Sequence, residues 1–159
     1  KNRDWEEFTE PINKKTNSKF ERKQLIEKAF LENVEEIKKF GHEIILIYPV
    51  PEMAFNVPRK IYNDIVIEKN QKIKIFSSSY NVFTERNKEI FKLFDKIDSN
   101  KLHRVYPHTH FCDKLIKNRC VANSEKEIYY WDDDHLSLQG SRLVVKDIIN
   151  KINLMKDNK

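Results

Sequence analysis

The stretch Tyr129-Tyr130-Trp131-Asp132-Asp133-Asp134-His135-Leu136-Ser137-Leu138-Gln139-Gly140 concentrates the residue types most able to do chemistry. An aspartate three residues before a histidine in a turn can accept a hydrogen bond from the imidazole Nδ1, which fixes the tautomer and leaves Nε2 free as a general base. Asp132 and His135 have that spacing. Ser137 suits the N-cap of a following helix, and Gly140 permits close packing of that helix. The same residues allow two other readings. Asp132 to Asp134 with His135 could bind a divalent metal, or the three aspartates could be a solvated turn that favours a helix N-terminus through its dipole. His108, His110, Cys112 and Cys120 have the residue types of a zinc set, but His-x-His-x-Cys followed by a seven-residue gap is not a common finger or ribbon spacing. Cys112 and Cys120 are the only two cysteines. Their spacing suits a disulfide closing a small loop, a contribution of about 2–3 kcal/mol in an oxidising compartment, and equally allows two free thiols. His42 and His103 stand in no motif and read as surface or packing residues.

Elements that could position this segment are legible upstream. Ile26, Phe30, Val34 and Ile37 recur at helical spacing between charges, so Lys19 to Phe40 is expected to form a helix, closed by Gly41 in a left-handed cap. Glu43-Ile44-Ile45-Leu46-Ile47-Tyr48 then reads as a strand buried on both faces of a parallel sheet. Pro49-Val50-Pro51-Glu52 removes backbone donors and ends the ladder in an extended loop. In open α/β sheets ligands bind beyond the carboxyl ends of strands, which makes Pro51 and Glu52 substrate-loop candidates at the same end of the sheet as His135. A second helix is expected over Tyr80 to Ile97 after the N-cap candidates Ser77 to Ser79, and a second strand over Leu102 to Tyr106. Ile128 to Trp131 reads as a short aromatic strand or extended segment. A last helix from about Ser137 to Ile152 should bury Leu143, Val144, Ile148 and Ile152. Helix and strand thus alternate, the order of an α/β domain, but two convincing strands are few for three covering helices. The start at Lys1 without methionine and this shortage of strands lead us to expect a piece of a larger protein.

Composition narrows the function classes. The 159 residues are 39% hydrophobic and include two Trp, six Tyr and ten Phe, enough to fill one core. Charged residues reach 35%, yet the apolar ones cluster in runs, which argues against disorder. The net charge of +5 comes from lysines interleaved with glutamates, as in Glu35-Glu36-Ile37-Lys38-Lys39, and that is the pattern of solvated helix faces rather than of a nucleic-acid stripe. No nucleic-acid partner is expected. No apolar run approaches the roughly 20 residues needed to span a bilayer, and Lys1 to Lys15 holds no secretion signal.

Three motifs in order carry a family resemblance. Tyr130, Asp132, His135, Leu136, Ser137 and Gly140 resemble the last block of SGNH hydrolases, in particular of SGNH domains fused to the C-terminus of acyltransferase family 3 membrane proteins. The strand ending in Pro49-Val50-Pro51-Glu52 with Pro58 beyond it, and the pair Cys112 and Cys120, are similar to features of the same family. The resemblance covers roughly residues 20 to 153. It implies a three-layer αβα, flavodoxin-like fold with a mostly parallel sheet, of which residues 1–159 are the C-terminal part. It implies a serine O-acyltransferase or esterase acting on acetyl groups of cell-envelope polysaccharide such as lipopolysaccharide or peptidoglycan, with no cofactor and no metal. Asp132 and His135 are its catalytic residues by that carry-over. An upstream membrane acyltransferase domain is the expected partner, on the periplasmic face of the membrane. There the two cysteines would be bonded, with Cα atoms within roughly 4.4–6.8 Å. The family's Gly-Asp-Ser nucleophile block and its Gly-x-Asn-Asp oxyanion block have no counterpart here, so the chain alone is expected to be inactive. Trp5 corresponds to an aromatic residue just past the asparagine-bearing strand. A non-catalytic carbohydrate-binding or interaction module of the same fold is the alternative.

Overall fold

The amphipathic segments form the three long helices of the structure, a computed structural model that describes residues 18–157. Trp5, aligned above on resemblance, lies outside the described residues. Helix α1 spans Lys19–Lys39, and the Ser18 side chain accepts a hydrogen bond from the Glu21 amide as its N-cap. Lys38 and Lys39 fall in its last turn, where cations suit the negative end of the helix dipole. Gly41 follows with φ 77°, the left-handed conformation expected of it. Val34 is buried and Phe30 packs beside it, but Ile37 is exposed, so the apolar stripe of α1 ends a turn earlier than its spacing suggests.

Strand β1 (Ile44–Ile47) pairs in parallel with β3 (Leu102–Val105), Ile44 opposite Leu102 and Ile47 opposite Val105. Side chains alternate across this pair as a strand requires. Leu46, Tyr48 and Leu102 pack with Val34 of α1 and with Phe91 and Phe94 of α3 (Tyr80–Asp95), whereas Ile45 and Val105 pack with Val144 and Ile148 of α5 (Leu138–Asp157). Helices therefore cover both faces of the parallel pair. Coverage is incomplete, since Ile47 is 44% exposed, and the expectation of a strand buried on both faces fails at that residue. Ile152 of α5 is likewise exposed rather than buried.

The described residues do not form one mostly parallel sheet. A second two-stranded sheet pairs β2 (Ser77–Ser79) with β4 (Arg119–Val121) in antiparallel fashion. Three serines carry little strand propensity, and they read from sequence only as caps. Ser79 does cap α3 by accepting from the Val82 amide. What holds the pair is tertiary: the Arg119 guanidinium donates to the Ser77 hydroxyl and carbonyl, and Cys120 is bonded to Cys112 across an antiparallel bridge. The Cα atoms of the disulfide stand 3.8 Å apart, closer than the range anticipated. The Asp113 amide donates to the Arg119 carbonyl, so the cysteines form a non-hydrogen-bonded pair, in which facing strands approach most closely.

The remaining elements are short. Helix α2 (Val57–Tyr62), capped by Asn56 and continued by a π-helical turn at Asn63–Ile67, was not expected from periodicity. Helix α4 (His108–Phe111) follows Pro107. Ile128 to Trp131 is extended but is no strand, making only isolated bridges from Ile128 to Asn123 and from Tyr130 to Leu136. A core of Met53, Val57, Ile61, Phe83, Ala122, Tyr130 and the disulfide sits between these pieces.

Candidate active site

Asp132 and His135 meet because the turn between them folds onto the aspartate. One carboxylate oxygen, Oδ1, accepts from the backbone amides of Asp134 at 3.0 Å and His135 at 2.8 Å. The other, Oδ2, lies 2.8 Å from His135 Nδ1. A carboxylate only accepts, so the shared proton sits on Nδ1 and Nε2 carries the free lone pair. Asp134 places Oδ1 2.9 Å from the same nitrogen. The turn is closed by the Trp131 amide, which donates to the His135 carbonyl at 2.7 Å. The imidazole is 74% exposed.

These contacts set the protonation behaviour. The Asp132 carboxyl is held well below the ordinary carboxylate range, first by the His135 amide and then by the Asp134 amide and the imidazole, against the opposing effect of burial. His135 is pushed above its ordinary value, chiefly by the hydrogen bond to Asp132 and then by the charges of Asp134 and Asp132. Burial raises Asp134. The pair is thus an ionised carboxylate orienting an imidazole, able to stabilise an imidazolium as it forms.

Both flanks of the turn are anchored. Ser137 donates its hydroxyl to the Ile128 carbonyl and accepts from the Gly140 amide at 3.2 Å, so its oxygen is committed to starting α5. A Cβ on Gly140 would lie 2.2 Å from the Tyr129 carbonyl oxygen, an approach only glycine allows. Upstream, the buried Tyr130 hydroxyl donates to the Pro51 carbonyl at 2.8 Å, and burial pushes its pKa up. The Met53 amide donates to the Asp133 carbonyl at 2.7 Å and the Val57 amide to the Asp132 carbonyl at 3.0 Å. Pro51 and Glu52 therefore share a loop bonded directly to the Asp132 turn. The Glu52 carboxylate itself is paired with Arg86 at 2.7 Å. Neither Arg86 nor the tethering role of Tyr130 was legible from local spacing, because their partners are distant in sequence.

Metal ligation has two candidate sets. Ligand atoms of Asp132, Asp134 and His135 lie within 4.8 Å of one another and could hold a cation, although Asp132 already accepts three hydrogen bonds from its own turn, two on Oδ1 and one on Oδ2. The zinc set loses both thiolates to the disulfide, and His110 Nε2 instead faces Asp147 Oδ2 at 2.7 Å.

An α/β framework that carries an aspartate-oriented histidine on the loop before its last helix is the arrangement expected of the SGNH class. The family model described as the SGNH domain (fused to AT3 domains) matches residues 2–150, and the chain belongs to that family. Neither the curated proteins nor the solved structures yield a match. Membership places the chain among acyl-transfer and esterase-type domains associated with AT3 domains. No helix of the described residues is long and apolar enough to cross a membrane.

Proposed function

We propose that this chain is the C-terminal part of a three-layer SGNH O-acyltransferase or esterase domain, in which Asp132 and His135 serve a serine nucleophile encoded upstream. The hydrogen bond from Asp132 Oδ2 to His135 Nδ1 is the observation that carries this reading. In the reaction a serine hydroxyl attacks an acetyl carbonyl and Nε2 of His135 takes its proton. The same nitrogen returns the proton to the leaving group, while Asp132 stabilises the intervening imidazolium. No serine of the chain follows a Gly-Asp pair, and Ser137 is engaged as a cap. Oxyanion donors, which supply about 3–4 kcal/mol of transition-state stabilisation each, come with the upstream blocks. The half-exposed Ile47 and the edge of β1 away from β3, unpaired among the described residues, support continuation of the parallel sheet there.

The acceptor in this proposal is a cell-envelope polysaccharide on the periplasmic face, acetylated at the expense of an upstream membrane acyltransferase domain. Fusion to AT3 domains is what supports that context. Hydrolysis of a generic acetyl ester, compared between this chain and one extended upstream to include a Gly-Asp-Ser block, tests the reading. Activity is expected only in the extended protein, abolished by His135→Ala. Equal hydrolysis by both, indifferent to His135→Ala, would assign the chemistry elsewhere.

A further inference from the structure

The histidine that opens α4 is used by neither the Asp132–His135 turn nor the disulfide. His108 lies among four aromatic rings, with centroids of Phe83 and Phe91 at 5.5 Å, Tyr106 at 6.0 Å and Tyr80 at 6.1 Å. Three of those rings belong to α3, so the imidazole helps to seat α4 against that helix. Its Nδ1 is buried and has no hydrogen-bond partner among the described residues. A proton there would be a buried donor without an acceptor. The neutral ring therefore carries its proton on Nε2 and turns a lone pair inward.

Charging the ring creates that missing donor. From α3 the groups that meet His108 are the rings of Tyr80, Phe83 and Phe91, and from the end of β3 the ring of Tyr106. Tyr48 joins this cluster through Phe91 and Tyr106, and the charged groups it brings, Asp95 and Arg104, are both bonded to its hydroxyl. His110 of α4 faces Asp147 of α5 instead. Ring faces attract a cation, but by less than an unpaired, buried N–H on a charged ring costs. Burial accordingly holds His108 below its ordinary value. At the other end of the four-residue α4, Phe111 is fully buried against Tyr129 and Tyr130, both at 5.7 Å. Those two residues lead into the Asp132–His135 turn: the Tyr129 carbonyl accepts from the Ser137 amide, and the Tyr130 hydroxyl donates to the Pro51 carbonyl. We propose that His108 is an acid-sensitive latch, which seats α4 on α3 while neutral and on protonation lets α4 move, shifting Phe111 against Tyr129 and Tyr130. Because burial lowers the folded value, the stability of this seat is complete above 6.5 and is lost as pH falls from there through the lower folded value. The latch does not depend on what the turn catalyses.

The test is a pH titration of the domain extended upstream, carrying His135→Ala so that the imidazole of the turn is silent, with histidine, tyrosine and phenylalanine rings labelled for NMR. His108 is expected to titrate below 6.5, and the ring signals of Phe111, Tyr129 and Tyr130 to move with the same midpoint. In His108→Phe, which fills the seat without titrating, those signals should stay in place. Between about pH 7.5 and about pH 5 the denaturant midpoint should fall further in the parent protein than in His108→Phe. The His108 titration itself needs no variant at that position, so it decides even where His108→Phe fails to fold. A His108 midpoint at or above 6.5, rings that stay in place while His108 titrates, rings that move equally in His108→Phe, or equal acid loss in both proteins would overturn the proposal.

Discussion

At the scale of single residues, the account turns on how Asp132 and His135 hold a proton. His135 is raised above its ordinary value near 6.5 by its partners, so its protonated form is favoured in the folded turn. The stabilisation from that ion pair is complete below the ordinary value and is lost as pH rises through the raised midpoint. Asp132 behaves oppositely: its carboxyl is depressed, so its contribution is present above the ordinary carboxylate value and is lost as pH falls through the lower one. An NMR titration should therefore place the His135 midpoint above 6.5, and Asp132→Asn should bring it down. A midpoint unmoved by Asp132→Asn would mean that Asp134 alone orients the ring. Gly140 makes a separate prediction. Alanine improves a helix by about 1 kcal/mol over glycine, but here its Cβ would overlap the Tyr129 carbonyl. Overpacking of about 1–3 kcal/mol or more wins, so Gly140→Ala should lower the denaturant midpoint rather than raise it. Asp132, His135 and Gly140 were readable because their partners lie within a few residues or act through a turn. Arg86 was not, since it meets Glu52 only after the chain has passed through α2 and β2.

At the scale of elements, legibility followed periodicity. Helices α1 and α3 were expected close to their observed bounds, because a 3.6-residue apolar stripe is a strong local signal, whereas α5 starts where expected but runs to Asp157, beyond the end expected near Ile152. The strands β2 and β4 gave no such signal. Ser77 to Ser79 pair with Arg119 to Val121 through an arginine, a disulfide and the register they impose, all of them tertiary. Ile128 to Trp131, read as a short aromatic strand or an extended segment, is the second of these: it makes isolated bridges to Asn123 and Leu136 and sends Tyr130 inward to Pro51. Two predictions belong here. Reduction of Cys112 and Cys120 should cost about 2–3 kcal/mol by loop-entropy reasoning, seen as a lower melting temperature with reductant and as no alkylatable thiol without it. Tyr130→Phe leaves the buried Pro51 carbonyl unpaired and should cost about 1–3 kcal/mol, measured by chemical denaturation. A neutral Tyr130→Phe would show that the loop of Pro51 does not depend on that tether.

At the scale of the whole molecule, the alternation of helix and strand made the α/β class legible, and the parallel pairing of β1 with β3 followed from it. The extent of the sheet was not legible, because strand count and edge pairing depend on contacts distant in sequence. Within the described residues the parallel pair is flanked by helices on both faces, Ile47 is left half-exposed, and the second sheet stands apart. In the proposed complete domain, added strands cover Ile47 and bring a serine to Nε2 of His135. The pH dependence of acetyl-ester hydrolysis in the domain extended upstream tests that claim most directly. The account predicts a rate that rises with pH through a midpoint above 6.5, as His135 becomes neutral and able to take the serine proton. It predicts loss of that rate in His135→Ala and a fall of several orders of magnitude in Asp132→Asn with the fold intact. Hydrolysis that keeps its rate and its pH profile in both variants would contradict it.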